Sequence, residues 1–232
     1  MPYRRLPKTD AARLKVLKTV LENNDIYTVR NRVVDWSVLN KCRPAYDRLL
    51  TAMEQYKVRI VAQKRAGAKI ETLHRNALMY VSHFLQVLLL AVERGEIKHS
   101  CLGLYGLEED NISMPQLKSS ETLITVGEKV VEGEKQRLKR GGLPIFNPAI
   151  GKVATHLDIF REAYRDHRKK MEITEKALAN IQALRPEIDD TILELWNQIE
   201  AHYADLPLET RFNACRKLGV IYYYRRHEPH IY

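Results

Sequence analysis

Residues 44–94 carry the pattern that most constrains the fold. Positions that would face a partner helix recur there at alternating steps of three and four residues. An apolar residue every 3.5 positions on average keeps one edge of a helix turned toward a partner helix. A continuous helix of this length would extend roughly 75 Å, so it needs a partner of similar length. We call this row of positions the first seam, and only Gln63 and His74 in it are clearly polar. Its members are Tyr46, Leu49, Met53, Tyr56, Ile60, Gln63, Gly67, Ile70, His74, Ala77, Val81, Phe84, Leu88 and Ala91.

A second seam of the same kind lies in residues 148–203 and supplies the partner. Asn147 and Pro148 are typical of a helix start, as a capping residue followed by proline at the first helical position. The spacing keeps its phase across Pro186, which favours one kinked helix over two helices that meet there. The members of this second seam are Ile150, Val153, Leu157, Phe160, Tyr164, His167, Met171, Thr174, Leu178, Ile181, Arg185, Ile188, Ile192, Leu195, Ile199, His202 and Leu206.

The rest of the chain predicts shorter elements. Helices are expected at residues 9–24, 120–140 and 207–218, from their capping residues, apolar spacing and glycine stops. Residues 25–43 fit either a short helix or an extended segment, residues 95–119 form a long connection, and the Tyr-rich tail fits a strand or strap. We therefore predict an all-α fold over residues 1–232. It is a single domain, an elongated antiparallel helical bundle with coiled-coil-like long helices and a short extended C-terminal strap.

The two halves of the first long helix differ in their expected burial. Residues 77–92 are apolar on most faces, which predicts a stretch buried from several sides. The half before Gly67 is expected to be the more exposed. Gly67 itself either allows another helix to approach closely or permits a bend.

Composition limits the compartment and the partners. The formal net charge is +9, with 45% hydrophobic and 29% charged residues, which is typical of a folding chain and leaves an acidic or nucleic-acid partner open. Three widely spaced cysteines favour reduced thiols and a cytoplasmic protein. No apolar segment follows the basic start, and the apolar run Val87–Val92 is far shorter than the ~20 residues that span a bilayer. No membrane partner is expected.

Glu71 and His74 form the strongest metal-site pattern in the sequence. A Glu-x-x-His pair one helical turn apart is the motif that di-iron bundles use, but they need a second such pair and further inward carboxylates. The other match, Glu96 with His99, lies beyond the helix end. Cys101 beside His99 gives two ligands without a matching pair. We predict no metal, no cofactor and no catalytic residues, and interpret His74 as a polar member of the seam.

Basic residues near aromatic side chains are the features that favour nucleic acid. Phosphate contact needs only a row of cations, and tyrosine rings can stack on bases. The alternative is that lysine and arginine solvate the outer faces of long helices. The candidates are Arg165, Arg168, Lys169, Lys170, Tyr222, Tyr223, Tyr224, Arg225 and Arg226.

The C-terminal end resembles that of a family of uncharacterised bacterial all-helical proteins. The residues that carry this resemblance are Glu194-Leu195-Trp196-Asn197-Gln198-Ile199-Glu200, Leu206-Pro207, Arg211 and Gly219-Val220-Ile221-Tyr222-Tyr223-Tyr224-Arg225. The resemblance implies a helical bacterial protein and carries over no activity. From the residues we expect a non-catalytic interaction or scaffolding protein that binds a protein partner or itself. Nucleic-acid binding is the first alternative, and a bundle enclosing a metal or small ligand is the second.

Overall fold

The structure, a computed structural model, describes residues 2–23, 32–108 and 113–226. It is all-α, as predicted, with two long helices packed antiparallel. In chain order the elements are β1 (Tyr3–Arg4), α1 (Asp10–Glu22), α2 (Trp36–Glu93), a 3₁₀ helix (His99–Tyr105), α3 (Ser120–Lys139), α4 (Ile150–His202), α5 (Leu208–Lys217) and β2 (Tyr222–Tyr223).

The chain divides into two compact units. The terminal unit comprises Met1–Arg59 with Thr174–Tyr232, and the central unit comprises Ile60–Ile173. Each unit has its own cluster of buried apolar residues. The single domain expected from the sequence stays a prediction.

The seams of α2 and α4 face each other within each unit. In the terminal unit, Leu49 of the first seam and Ile188 and Ile192 of the second belong to one buried cluster. In the central unit, the edge of the His74 ring packs on Phe160, with centroids 5.2 Å apart. A Cβ atom on Gly67 would lie 3.2 Å from Nε2 of His167. Gly67 therefore serves close helix approach, which was one of its two predicted roles.

The helix α4 is continuous through Pro186, as the unbroken phase of its seam predicted. Every first-seam residue and every second-seam residue within α4 is buried or half-buried. Leu206 is exposed and lies beyond the end of α4 at His202. The proposed start at Pro148 is wrong by two residues, since α4 begins at Ile150.

The start of the first long helix differs most from the prediction. We expected it at Pro44, but α2 begins at Trp36 and contains Pro44 in its interior. Three residues of this added segment, Val38, Leu39 and Cys42, are buried in the core of the terminal unit. Their burial outweighs the local cost of proline in a helix. Residues 25–31 of the ambiguous segment lie outside the described residues.

The burial along α2 follows the expected order. Residues 77–92 contribute the predicted buried cluster, and the half before Gly67 is the more exposed, with its buried residues confined to one face between Val38 and Ala52. Residues 53–76 are half-buried or exposed throughout. The exposed stretch is therefore the middle of the helix, because both flanking stretches lie in hydrophobic cores.

The C-terminal strap is a strand, and its partner lies at the other end of the sequence. Tyr222 and Tyr223 of β2 pair antiparallel with Arg4 and Tyr3 of β1. Arg4 also donates to Glu200 at 2.9 Å. Sequence analysis found no second strand, because a two-residue strand has no detectable alternation.

A candidate binding cleft

Helix α3 carries a buried ion pair that was not recognised in the sequence. The Glu134 side chain is 1% exposed and that of Arg137 is 7% exposed. Nε and Nη2 of Arg137 donate to the two carboxylate oxygens of Glu134 at 2.9 and 2.8 Å. The hydroxyl of Tyr105, in the 3₁₀ helix, donates to the same carboxylate at 2.5 Å. The 3₁₀ helix that follows α2 is thus joined to α3 by a buried polar network.

Hydrogen bonding determines the charge state of this network. Burial acts to raise the pKa of the Glu134 carboxyl, but the bonds from Arg137 and Tyr105 outweigh it and hold that pKa below its ordinary value. Burial and the bond to Glu134 raise the pKa of the Tyr105 phenol. Glu134 is therefore ionised and Tyr105 is neutral at physiological pH.

The same ion pair holds the segment that joins α3 to α4, residues 141–147, which we call the cleft loop. Nη2 of Arg137 donates to the carbonyl oxygen of Leu143 at 2.7 Å. The Ile145 amide lies 3.5 Å from Oε1 of Glu134 and donates to it. Gly141 begins the loop with a φ of 87°, in the left-handed region that glycine tolerates. The buried Glu134–Arg137 pair therefore fixes the backbone of the cleft loop by hydrogen bonds.

Two large apolar side chains of the cleft loop project into solvent. Leu143 is 84% exposed and Phe146 is 82% exposed, the highest values among the large hydrophobic residues described. Exposed apolar residues held on a fixed backbone are typical of contact sites, because docking costs little ordering entropy.

A cleft of about 910 Å³ lies beside this loop. Its walls come from the end of α2, the start of the 3₁₀ helix, the end of α3 and the cleft loop. Most of the lining is apolar, with three basic residues and one acidic residue. The lining residues are Val87, Ala91, Glu96, Ile97, Lys98, Cys101, Arg137, Arg140, Gly141, Gly142, Leu143, Pro144, Ile145, Phe146 and Asn147.

The cysteines provide a direct test of the cleft. Cys101 is half-buried and lines the cleft, whereas Cys42 and Cys215 are buried. Burial raises the pKa of Cys42 to about 11 and also raises that of Cys215. At pH 8 we expect one thiol per native chain to react rapidly with Ellman's reagent, since the thiolate is the reactive form. Replacing Cys101 with serine should abolish this phase, and its persistence would contradict the described cleft.

The candidate metal pair of the sequence, Glu71 and His74, has other partners in the structure. His74 packs against Phe160, while Glu71 points outward and pairs with Arg75 at 3.3 Å. Within residues 2–23, 32–108 and 113–226, no group of three or more His, Cys, Asp or Glu side chains is placed to hold a metal ion.

The basic candidates on α4 lie in the central unit and are partly neutralised. Arg165, Arg168 and Lys169 are exposed, while Lys170 pairs with Asp166. Residues 60–76 and 161–173 together contain nine Lys or Arg and four Asp or Glu, a net charge of +5. This section therefore carries a large share of the positive charge of the chain.

The tyrosine candidates lie in the terminal unit, and two of the three are engaged. Tyr222 donates to Glu200 at 2.6 Å and packs against Phe212, so it is a structural residue. Arg216 donates to the Tyr224 hydroxyl at 2.6 Å. Tyr223 is exposed beside Tyr3. Arg225 and Arg226 are exposed, and His227, which follows them, lies outside the described residues.

Sequence analysis missed the residues that form the cleft. Glu134 and Arg137 fall within the helix predicted at residues 120–140, and the sequence distinguished neither of them from its other charged residues. The available signal was the pair of apolar residues, Leu143 and Phe146, that follow two glycines and belong to no helical stripe. Apolar residues outside any periodic pattern are candidates for a contact surface.

Comparisons with known proteins give no family for this chain. No protein-family model matches it, and neither a search of curated proteins nor one of solved structures returns a match. In the described parts of the chain, α2 contains an 18-residue window of mean hydropathy 1.3, apolar enough to cross a membrane by length and composition, and 44% of the window is buried. Core helices of soluble proteins pass the same test, so this is weak evidence for a membrane.

Proposed function

We propose that the chain is a non-catalytic interaction protein that binds a protein partner through the cleft loop. The observation that carries this proposal is the exposure of Leu143 and Phe146 on a backbone held by the buried Glu134–Arg137 pair. A few residues supply most of the binding energy in protein interfaces, and large side chains that fill a pocket on the partner are typical of them. Binding a protein partner without catalysing a reaction suggests the role of a scaffolding protein.

The chemistry of the cleft favours a partner segment that is apolar with an acidic border. The lining contains the exposed Lys98 and Arg140 against the single carboxylate of Glu96, while Arg137 is already paired with Glu134. A basic rim around apolar anchors attracts an acidic surface and disfavours a basic one. A second copy of the chain is the alternative occupant, and sedimentation of the purified protein would distinguish it.

The proposal predicts that one double variant loses the partner. Tagged protein with Leu143→Ser and Phe146→Ser should reduce the amount of partner captured from its native extract by more than about tenfold, relative to the unchanged chain. A reduction of this size is expected because the lost anchors are worth about 2 kcal/mol. Both side chains are exposed, so helical content measured by circular dichroism should stay unchanged.

A matched variant controls for the loss of exposed apolar surface. Val58 is 70% exposed on α2, in the terminal unit, and Val58→Ser should capture the partner as well as the unchanged chain does. Equal capture by all three proteins would rule out the cleft loop as the contact site. Loss of all co-purifying material on nuclease treatment would instead support nucleic acid.

Nucleic-acid binding is the second candidate function. It is favoured by the net charge of +5 on residues 60–76 and 161–173, where Arg165 and Lys169 are exposed. It is disfavoured by ion pairs within the same section, such as Lys170 with Asp166 and Arg75 with Glu71. Binding through this section would weaken steeply with salt, because phosphate contacts release counterions.

Two further interpretations complete the proposal. The reduced cysteines and basic balance suggest a cytoplasmic protein, and the resemblance of the C-terminal end suggests a bacterial helical family without assigned activity. Tyr222 and Trp196, which belong to that resemblance, serve the core and strand pairing of the terminal unit. These two residues of the resemblance therefore have a structural role.

A further inference from the structure

Arg137 has one nitrogen that the buried network does not use. A guanidinium has five N–H donors. Nε donates to Glu134 and Tyr105, and Nη2 donates to Glu134 and the Leu143 carbonyl. Among the described residues, Nη1 has no hydrogen-bond partner, although the side chain is only 7% exposed.

The unused nitrogen lies beside Gly142, and Gly142 and Arg137 both line the cleft. A Cβ atom on Gly142 would lie 2.7 Å from Nη1, so a side chain there would crowd the nitrogen. The glycine leaves room for another group to approach.

The rest of the cleft fits an apolar chain. Its volume of about 910 Å³ lies within the range of about 300–1,000 Å³ that is typical of ligand pockets, which combine apolar walls with a few convergent polar groups. Val87, Ala91 and Ile97 supply the apolar wall opposite the cleft loop. Arg137 is paired with Glu134, so the remaining charged lining is Lys98 and Arg140 against Glu96, a net charge of +1 that favours an anion.

We infer that the cleft binds an apolar chain that ends in a carboxylate, with Nη1 of Arg137 as the donor to that carboxylate. Two sources have this chemistry, namely a free fatty acid and a peptide with an apolar C-terminal residue. A charge-assisted hydrogen bond in a water-poor site is stronger than a neutral one. The inference goes beyond the proposed function, because it names a ligand of the cleft itself, which small probes test without a protein partner.

The test uses protection of Cys101 in the purified full-length protein. The rate of its reaction with Ellman's reagent is measured against the concentration of octanoate, 1-octanol or octylamine, all below their aggregation limits. Octanoate should slow the reaction at concentrations at least tenfold lower than either control probe. Equal protection by the three probes, or protection by none, would overturn the inference.

Two variants assign the effect to the cleft. Gly142→Ala places a methyl group against Nη1 and should weaken octanoate protection at least tenfold while leaving that by octanol unchanged. Val87→Phe narrows the apolar wall away from Arg137 and should weaken protection by octanoate and octanol alike. Full octanoate protection in both variants would contradict the site, and the second variant keeps the test valid if the first does not fold.

A pair of peptides separates the two sources. A short peptide that ends in Leu-Phe is compared as the free carboxylate and as the amide. If the peptide with a free carboxylate protects Cys101 and its amide does not, the ligand is a peptide C-terminus. If octanoate protects and neither form of the peptide does, the ligand is a fatty acid. Equal protection by the free peptide and its amide would contradict carboxylate recognition. Because these probes need no cellular partner, the result is independent of the capture experiment.

Discussion

Replacing Arg137 with methionine is expected to lower the free energy of unfolding by about 3–5 kcal/mol, the usual cost of breaking a buried ion pair. The substitution would leave the Glu134 carboxylate, whose side chain is 1% exposed, without its cation. It would also remove the donor to the Leu143 carbonyl. Urea unfolding followed by circular dichroism measures the loss.

Two further variants identify the cause. Arg140→Met, at an exposed neighbouring position, should change the free energy of unfolding by no more than about 0.5 kcal/mol. Glu134→Leu combined with Arg137→Met removes both charges and should recover a large part of the loss, because no buried charge then stays unpaired. A double variant as unstable as the single one would contradict this explanation.

The same pair sets a direction for the pH dependence. The pKa of the Glu134 carboxyl lies below its ordinary value of 4.5 in the folded protein, so the unfolded chain binds its proton first as the pH falls. The stability from this group is fully present above pH 4.5 and is lost as the pH drops through the folded pKa. Below pH 4.5, the free energy of unfolding of the unchanged chain should therefore fall by more than that of the double variant.

The substitution Gly133→Ala is expected to destabilise the central unit by about 1–3 kcal/mol, as overpacking does. A Cβ atom there would lie 2.6 Å from the carbonyl oxygen of Leu104 and 2.9 Å from the ring of Tyr105. The first contact is with backbone, which cannot rotate away. The gain in helix propensity of about 1 kcal/mol is too small to offset the clash.

Gly151 provides the matched control for this prediction. It also lies in a helix, and a Cβ atom on it would meet nothing within 4 Å. Gly151→Ala should therefore be neutral or stabilise by up to about 1 kcal/mol. Thermal unfolding measures both variants, and equal melting temperatures would contradict the close packing of α3 on the 3₁₀ helix.

Sequence periodicity predicted the long helices because their buried residues recur at a regular spacing along the sequence. The phase of the second seam crosses Pro186 without a break, and α4 does the same. The start of α2 could not be predicted in this way. Pro44 is a local signal for a helix start, and it is overridden by the burial of Val38 and Cys42 against residues distant in sequence.

The cleft could not be predicted, because its parts are brought together by folding. Glu134 and Arg137 are neighbours on one helix, but their burial depends on Tyr105, which comes from another segment. Spacing along α3 does not reveal that contact. The apolar residues of the cleft loop were visible in the sequence, yet their exposure follows from the way Arg137 holds the Leu143 carbonyl.

The most direct test of partner binding through the cleft loop is photo-crosslinking from position 146. Benzoyl-phenylalanine replaces Phe146 in one protein and Val58 in the control, and both are irradiated in the native cells. We expect a discrete protein adduct from position 146 that survives nuclease, is absent from position 58 and disappears with Leu143→Ser. No discrete adduct from position 146, or the same adducts from both positions, would contradict the proposal.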